Sequence, residues 1–236
     1  MNLLLIILII SLIINFYYIT RSMYEAFSQQ YDKIDAFIYI NLEDREDRKK
    51  EILNEFEKLE IPKNKIRKVA GVRIPKNGHK GCTQSHILAL SMAKMNKWKT
   101  VAIFEDDATL NVDKDEFKRI LNKALDLPNK WDVLVLGGCN QDKGETIDKD
   151  MYYLKFSTTT TGYIIKEEYY DTLLDLFIDA NNKMTPDKWG IDDGWEANAP
   201  DQRWNELIKI DKFIGFEPNL IVQRGSPSSI NAKEDN

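Results

Sequence analysis

Between Ala36 and Asp107 the chain alternates strand-length apolar runs with amphipathic helical periods, and this order restricts the fold more than any other feature. Ala36–Leu42 reads as a strand. A charged helix follows, with Ile52, Leu53, Phe56 and Leu59 on one face and Pro62 closing it. Ile66–Val72 reads as a second strand, Pro75–Gly81 as a loop, and Thr83–Trp98 as a helix with Ile87, Leu88, Met92 and Met95 inward. Thr100–Phe104 is then a third strand. Strands separated by helices argue for an α/β domain whose central sheet is mostly parallel and covered on both faces. Further on, Asp113 and Glu116 form a capping signal for a helix carrying Phe117, Ile120 and Leu121. Trp131–Leu136 reads as a strand stopped by Gly137 and Gly138, and Met151–Phe156 and Thr161–Ile165 read as two more. A helix over Lys166–Ala180, an irregular stretch to Pro200, a helical piece over Asp201–Ile208 and a short strand Phe213–Phe216 complete the order.

The third strand runs straight into Glu105-Asp106-Asp107. A buried strand ending in carboxylates brings several negative charges to the sheet's carboxyl edge, where open α/β sheets bind ligands. Two carboxylates ~4 Å apart repel by roughly 4 kcal/mol at an effective dielectric near 20, so such a cluster requires a proton, a basic partner or a cation. Hard divalent ions suit oxygen ligands and commonly accompany phosphate. Strand alternation predicts Glu105 and Asp107 on one face and Asp106 on the other. An acidic loop that merely caps a helix is the competing reading.

The chain has 236 residues, and its opening does not resemble the rest. Asn2–Ile19 is almost uninterruptedly apolar and uncharged, broken by Ser11 and Asn15. As a helix it would extend roughly 27 Å, close to the hydrocarbon thickness of a bilayer. Tyr17 and Tyr18 stand where an interfacial aromatic belt is expected, and Arg21 follows. The expected organisation is an uncleaved single-pass membrane anchor over 1–20, a polar stem over 21–35, a catalytic domain over 36–230 and a polar tail over 231–236. A cleaved signal peptide is the alternative, though no basic leader segment is present. Nearby charges are too few to fix the side of the membrane. The net charge of −5 argues against a nucleic-acid partner. Cys82 and Cys139 are too few for a disulfide framework or a zinc finger.

Two further motifs carry chemistry. Asn41-Leu42-Glu43-Asp44-Arg45-Glu46-Asp47-Arg48 joins the first strand to its helix, and Arg45 and Arg48 are spaced to share a helical face near the acidic strand end. Such guanidinium groups suit a nucleotide's phosphates or ribose, assisted by N–H groups at the helix start, and a solvated charged helix start with Glu46–Lys50-type pairs is the competing reading. Gly81-Cys82-Thr83-Gln84-Ser85-His86 reads as a glycine turn opening a helix that Thr83 or Ser85 could cap. Cys82 reads as packing, and His86 as either a ligand contact or a satisfied structural histidine.

Asn-Leu-x-x-Arg-x-Asp-Arg, then Gly-Cys-x-x-Ser-His, then a strand ending Glu-Asp-Asp, in this order and at these separations, resembles glycosyltransferase family 25. Trp131–Gly138, Thr160-Thr161-Gly162-Tyr163, Pro200-Asp201, Pro218-Asn219-Leu220, Gln223 and Ser228-Ser229-Ile230 are similar to later family positions, so the likeness runs from about Phe37 to Ile230. The resemblance implies a single GT-A-like domain, a UDP-sugar donor such as UDP-galactose, and Mn²⁺ or Mg²⁺. It places Asn41, Leu42, Arg45 and Arg48 on the nucleotide, with Gly81, Ser85, His86 and Asp106 also on the donor side. Asp107 and Glu105 become the metal ligands. It makes Asp201 the leading general base for inverting transfer, with Asp192 and Asp193 as local competitors. Ser229 stands where family members often carry aspartate, the loop Pro75–Lys80 is unusually basic, and His79 and His86 are the only histidines, so a late metal ligand would have to be another residue type or water.

The resulting expectation is a membrane-anchored enzyme that moves a hexose to a hydroxyl of a glycan, glycolipid or glycosylated protein. Trp189, Trp195 and Trp204 could stack on sugar faces or serve as core. A nucleotidyltransferase would use the same acidic and basic groups, and a catalytically silent glycan-binding protein is a rival from another class.

Overall fold

A computed structural model describes residues 9–19, 31–184 and 195–225. The chain divides into two units, Met1–Lys33 and Ile34–Asn236. In the first, residues 9–19 form a helix, α1, with exposed apolar side chains. Among the described residues no helix is long and apolar enough to cross a membrane, and the remainder of the expected anchor, 1–8 and 20, lies outside the described residues together with most of the stem. The expected N-terminal spanning helix therefore has no support in the structure.

The second unit is an α/β domain. Its strands β1 (Ala36–Asn41), β2 (Ile66–Ala70), β3 (Thr100–Glu105), β5 (Val133–Asp148), β6 (Met151–Lys166) and β7 (Phe213–Phe216) form one sheet in the order β2-β1-β3-β6-β5-β7. β1 pairs in parallel with β2 and β3, and β5 with β7, while β6 runs antiparallel to both of its neighbours. The mostly parallel sheet expected from the strand–helix alternation is thus present, with β6 reversing one strand within it. β4 (Ala108–Leu110) and β8 (Ile221–Gln223) form a separate antiparallel pair. Three residues each, they are too short to leave a periodic signal in the sequence.

Helices α2 (Glu46–Lys58), α3 (Gly78–Met95), α4 (Lys114–Leu125) and α5 (Tyr170–Lys183) are followed by the short α6 (Trp195–Asn198), α7 (Pro200–Arg203) and α8 (Asn205–Ile208). On one side of the sheet Phe56 of α2 packs edge-on to Phe37 and Phe104, the latter with ring centroids 5.2 Å apart. The other side holds a cluster that includes Leu90, Ile103, Tyr163, Phe177 and Trp204.

Several expectations about element limits are corrected. α3 begins at Gly78 instead of Thr83, because the Asn77 side chain caps it by accepting from the Lys80 N–H at 3.0 Å. Gly81 therefore lies within the helix, where an added Cβ would fall 2.5 Å from the Val72 carbonyl oxygen; close backbone approach, not a turn, explains the glycine. Thr83 and Ser85 are consequently not caps: their hydroxyls donate back to His79 O and Gly81 O, both at 2.8 Å. Gly137 and Gly138 do not stop β5. The Ile221 backbone crosses Gly137, and the Ser157 and Gln141 side chains fill the place where Gly138 would carry a Cβ. Met151–Phe156 and Thr161–Ile165, expected as two strands, are parts of the single strand β6, kinked where Thr159 takes φ +68°. Finally, the expected helix over Asp201–Ile208 is two short pieces, α7 and α8.

Candidate active site

The parallel register sets Ile40 of β1 beside Glu105 of β3, so both strands deliver their last residues to one edge. β3 ends at Glu105, and Asp106-Asp107 form a turn into β4. The expected alternation of the three carboxylates fails for that reason: Asp106 and Asp107 converge on one guanidinium. Arg48 Nη1, from the first turn of α2, donates to Asp106 Oδ1 at 3.0 Å and to Asp107 Oδ2 at 3.3 Å. The three side chains are only 7–11% exposed. Asn41 Nδ2 donates to the second oxygen of Asp106 at 2.8 Å, so both Asp106 oxygens are held within the protein.

Asp107 is different. Its Oδ2 also receives Gln223 Nε2 at 3.2 Å, yet its buried Oδ1 has no hydrogen-bond partner. Burial, reinforced by the charge of Glu105, pushes the Asp107 carboxyl up to about 7 against the pull of Arg48 and Gln223. Glu105 moves the opposite way. Burial alone would raise it, but hydrogen bonds from His86 and Thr160 and the charges of His86 and Arg48 hold it below its ordinary value. Two neighbouring carboxyls are thus pushed in opposite directions, a pattern common at functional sites.

The facing wall is the start of α3. Ser85 Oγ accepts the Val72 N–H at 2.8 Å, which ties the segment after β2 to the helix. Gly81 and Ser85 therefore shape the wall, and Ser85 lines the cleft. His86 is fully buried, with Nδ1 3.1 Å from the Tyr163 hydroxyl and Nε2 3.2 Å from Glu105 Oε1. Cys82, expected as packing, faces the same cleft. Burial and the charges of Glu105, Asp201 and Asp107 push its thiol well up, so it is no activated nucleophile.

These walls enclose a cleft of about 900 Å³, including its open mouth, lined by Asn41, Leu42, Arg48, His86, Glu105 and Asp107 among others. Arg45 is not among its lining residues: it caps α2 and forks onto Asp47, with Nη2–Oδ2 at 2.8 Å. It does not share a helical face with Arg48, because the helix starts one residue after it. Arg73, which sequence reasoning missed, lies at the mouth and pairs with Asp44. Thr160 and Tyr163 were likewise missed as site residues, since nothing local marks a strand hydroxyl that reaches a carboxylate or imidazole. Cys82 did leave a signal, its four-residue spacing from His86 on a helix.

Asp201 sits in α7 and accepts the Thr159 N–H at 2.9 Å. The left-handed Thr159 backbone is costly for a β-branched residue, and the next residue, Thr160, donates to Glu105 Oε1 at 2.6 Å. One strained kink therefore anchors both Asp201 and Glu105. Asp201 is not among the residues lining the cleft, although its charge reaches Cys82. Asp192, Asp193, Trp189 and Ser229 lie outside the described residues, as does the Trp195 side chain. Trp204 is fully buried and donates its indole N–H to Ser157 O at 2.9 Å, which makes it core and removes it as a sugar platform.

Asp107 carries an unpartnered buried carboxylate oxygen, a donor type that suits a divalent cation.

An acidic strand end and a basic helix start share one cleft. The chain matches the model of glycosyltransferase family 25 (LPS biosynthesis protein) over residues 63–189, more than half its length, and it belongs to that family. A search of curated proteins finds no match. Among solved structures, mannose-1-phosphate geranyltransferase from Thermus thermophilus is 10% identical, with 81% of this chain and 74% of that chain covered and a TM-score of 0.47. A glycosyltransferase involved in glycosylation of the major capsid of PBCV-1 is 10% identical over 82% of this chain and 94% of that one, with a TM-score of 0.41. Both scores lie below 0.5 and mark partial likenesses of backbone path.

Proposed function

We propose that this glycosyltransferase moves a hexose, galactose or glucose, from a UDP-sugar to a hydroxyl of a glycan, glycolipid or glycosylated protein, with inversion and with Mn²⁺ or Mg²⁺. The observation that carries the reading is the buried, unpartnered Oδ1 of Asp107, a residue that lines the cleft with Arg48 and Glu105. Asp107, with Glu105 beside it, would hold the cation, which neutralises the departing diphosphate. Arg48 would contribute a fixed positive charge, already oriented by Asp106. Asn41 supports nucleotide contact because its buried Oδ1 is an unused acceptor in the cleft wall. Leu42 supplies apolar surface there, while Arg45 would reach the nucleotide only by leaving Asp47.

Asp201 is the proposed base, taking the proton from the acceptor hydroxyl as that oxygen attacks the anomeric carbon and the diphosphate leaves. Its support is the Thr159 N–H, which orients the carboxylate. Residues 1–20 would hold the enzyme at a membrane, a reading supported by the apolar sequence run alone.

The test is donor turnover by the purified full-length chain. UDP release from UDP-galactose or UDP-glucose, dependent on a divalent cation, is the expected outcome. Pyrophosphate release from a nucleoside triphosphate would instead identify a nucleotidyltransferase. Glycan binding without any donor turnover would identify a silent binding protein.

A further inference from the structure

The cleft also holds a second and softer donor set. Cys82 and His86 stand one helical turn apart on α3 and face the carboxyl end of β3. Cys82 Sγ, a nitrogen of His86 and a carboxylate oxygen of Glu105 all lie within 4.8 Å of one another. His86 Nε2 and Glu105 Oε1 are 3.2 Å apart. Nitrogen and oxygen ligands of one tetrahedral zinc ion are separated by roughly 3.4 Å, so this pair already has nearly the spacing a single ion would impose.

The groups behind these atoms are arranged as metal sites require. The Tyr163 hydroxyl engages His86 Nδ1, which leaves Nε2 directed at Glu105. The Thr160 hydroxyl donates to Glu105 Oε1 and fixes that carboxylate. A ligating imidazole with its other nitrogen hydrogen-bonded, beside a carboxylate that is itself held, is the usual outer arrangement of a bound transition metal.

We propose that Cys82, His86 and Glu105 form a three-ligand site for a borderline-soft divalent transition metal of the zinc type, with its fourth position open to the cleft. Sulfur and imidazole donors select zinc, cobalt or nickel over magnesium or calcium, which distinguishes this position from the oxygen-only cation seat at Asp107. Three protein ligands and one open position are the pattern of zinc sites that act on a substrate, not of those that only brace a fold. The inference shares Glu105 with the sugar-transfer reading but does not depend on it, since metal binding is measured without any donor.

The experiment uses the full-length chain, stripped of metal with a chelator. Zinc is titrated against a chromophoric competitor, and Co²⁺ is followed by absorption. One equivalent of zinc should bind, unaffected by excess Mg²⁺. Co²⁺ should give intense visible bands of four-coordination and a near-ultraviolet thiolate charge-transfer band. Cys82→Ser, nearly isosteric and so expected to fold, should abolish the charge-transfer band. Tyr163→Phe should weaken zinc roughly tenfold or more by releasing the imidazole. Absence of stoichiometric zinc, or a Cys82→Ser protein with unchanged band and affinity, overturns the inference. A chain that binds UDP with Mn²⁺ but takes up no zinc overturns this inference alone. One that takes up zinc but releases no UDP from any UDP-hexose overturns the donor reading alone.

Discussion

Arg48 Nη1 lies 3.3 Å from Asp107 Oδ2, while the other oxygen of that carboxylate is buried with nothing to bind. The guanidinium engages one oxygen of the acid, and the other has no partner. Loss of the arginine would leave Asp106 and Asp107 buried without their counter-ion. Arg48→Ala should therefore lower unfolding free energy by about 3–5 kcal/mol, read from the urea midpoint. Arg48→Lys should recover only part of this, because an ammonium cannot reproduce the planar fork.

The raised Asp107 carboxyl gives a pH signature in the metal-free protein. An unfolded aspartate ionises near about 3.9, whereas Asp107 in the fold ionises at about 7. Between these values the folded chain binds more protons than the unfolded one, so this group's contribution to stability falls as pH rises. Asp107→Asn removes that contribution. Compared by urea unfolding, the variant should gain stability relative to the parent from pH 5 to pH 8; a constant difference would contradict the assignment.

Gly81 tests the contact between α3 and the segment after β2. A methyl group at that position meets the Val72 carbonyl oxygen, so Gly81→Ala should cost about 1–3 kcal/mol in thermal or chemical unfolding. It should also weaken nucleotide binding, because Cys82, Ser85 and His86 ride on the same stretch of helix. Retained binding at full affinity would separate that stretch from the site.

Much of this site was legible in the sequence, and the failures have physical causes. β1 and β3 were readable because each is a short apolar run next to an amphipathic helix, and the acidic end of β3 because charge follows the run directly. The pairing of Asp106 with Asp107 on Arg48 was not readable, since it depends on where strand geometry stops. Gly137 and Gly138 look like a stop but serve the passage of Ile221 and the Ser157 side chain, distant segments that no local window includes. His86 was singled out, but its partner Tyr163 comes from β6, as does Thr160 on Glu105, and the kink of that strand at Thr159 reads locally as a break.

Asp201 gives a kinetic expectation. Asp201→Asn keeps an oxygen to accept the Thr159 N–H, so the fold should be unchanged, while the carboxylate base is lost. Its kcat for transfer should drop by roughly 10²–10⁴, with UDP affinity unaltered. An unchanged kcat would move the base elsewhere.

The most direct test of the diphosphate seat is calorimetric titration of the full-length chain with UDP, with and without Mn²⁺ or Mg²⁺, in the parent protein and in Asp107→Asn. Binding that needs the cation in the parent and loses that dependence in Asp107→Asn is the expected result. UDP affinity that is identical with and without cation, or no UDP binding at all, would contradict it.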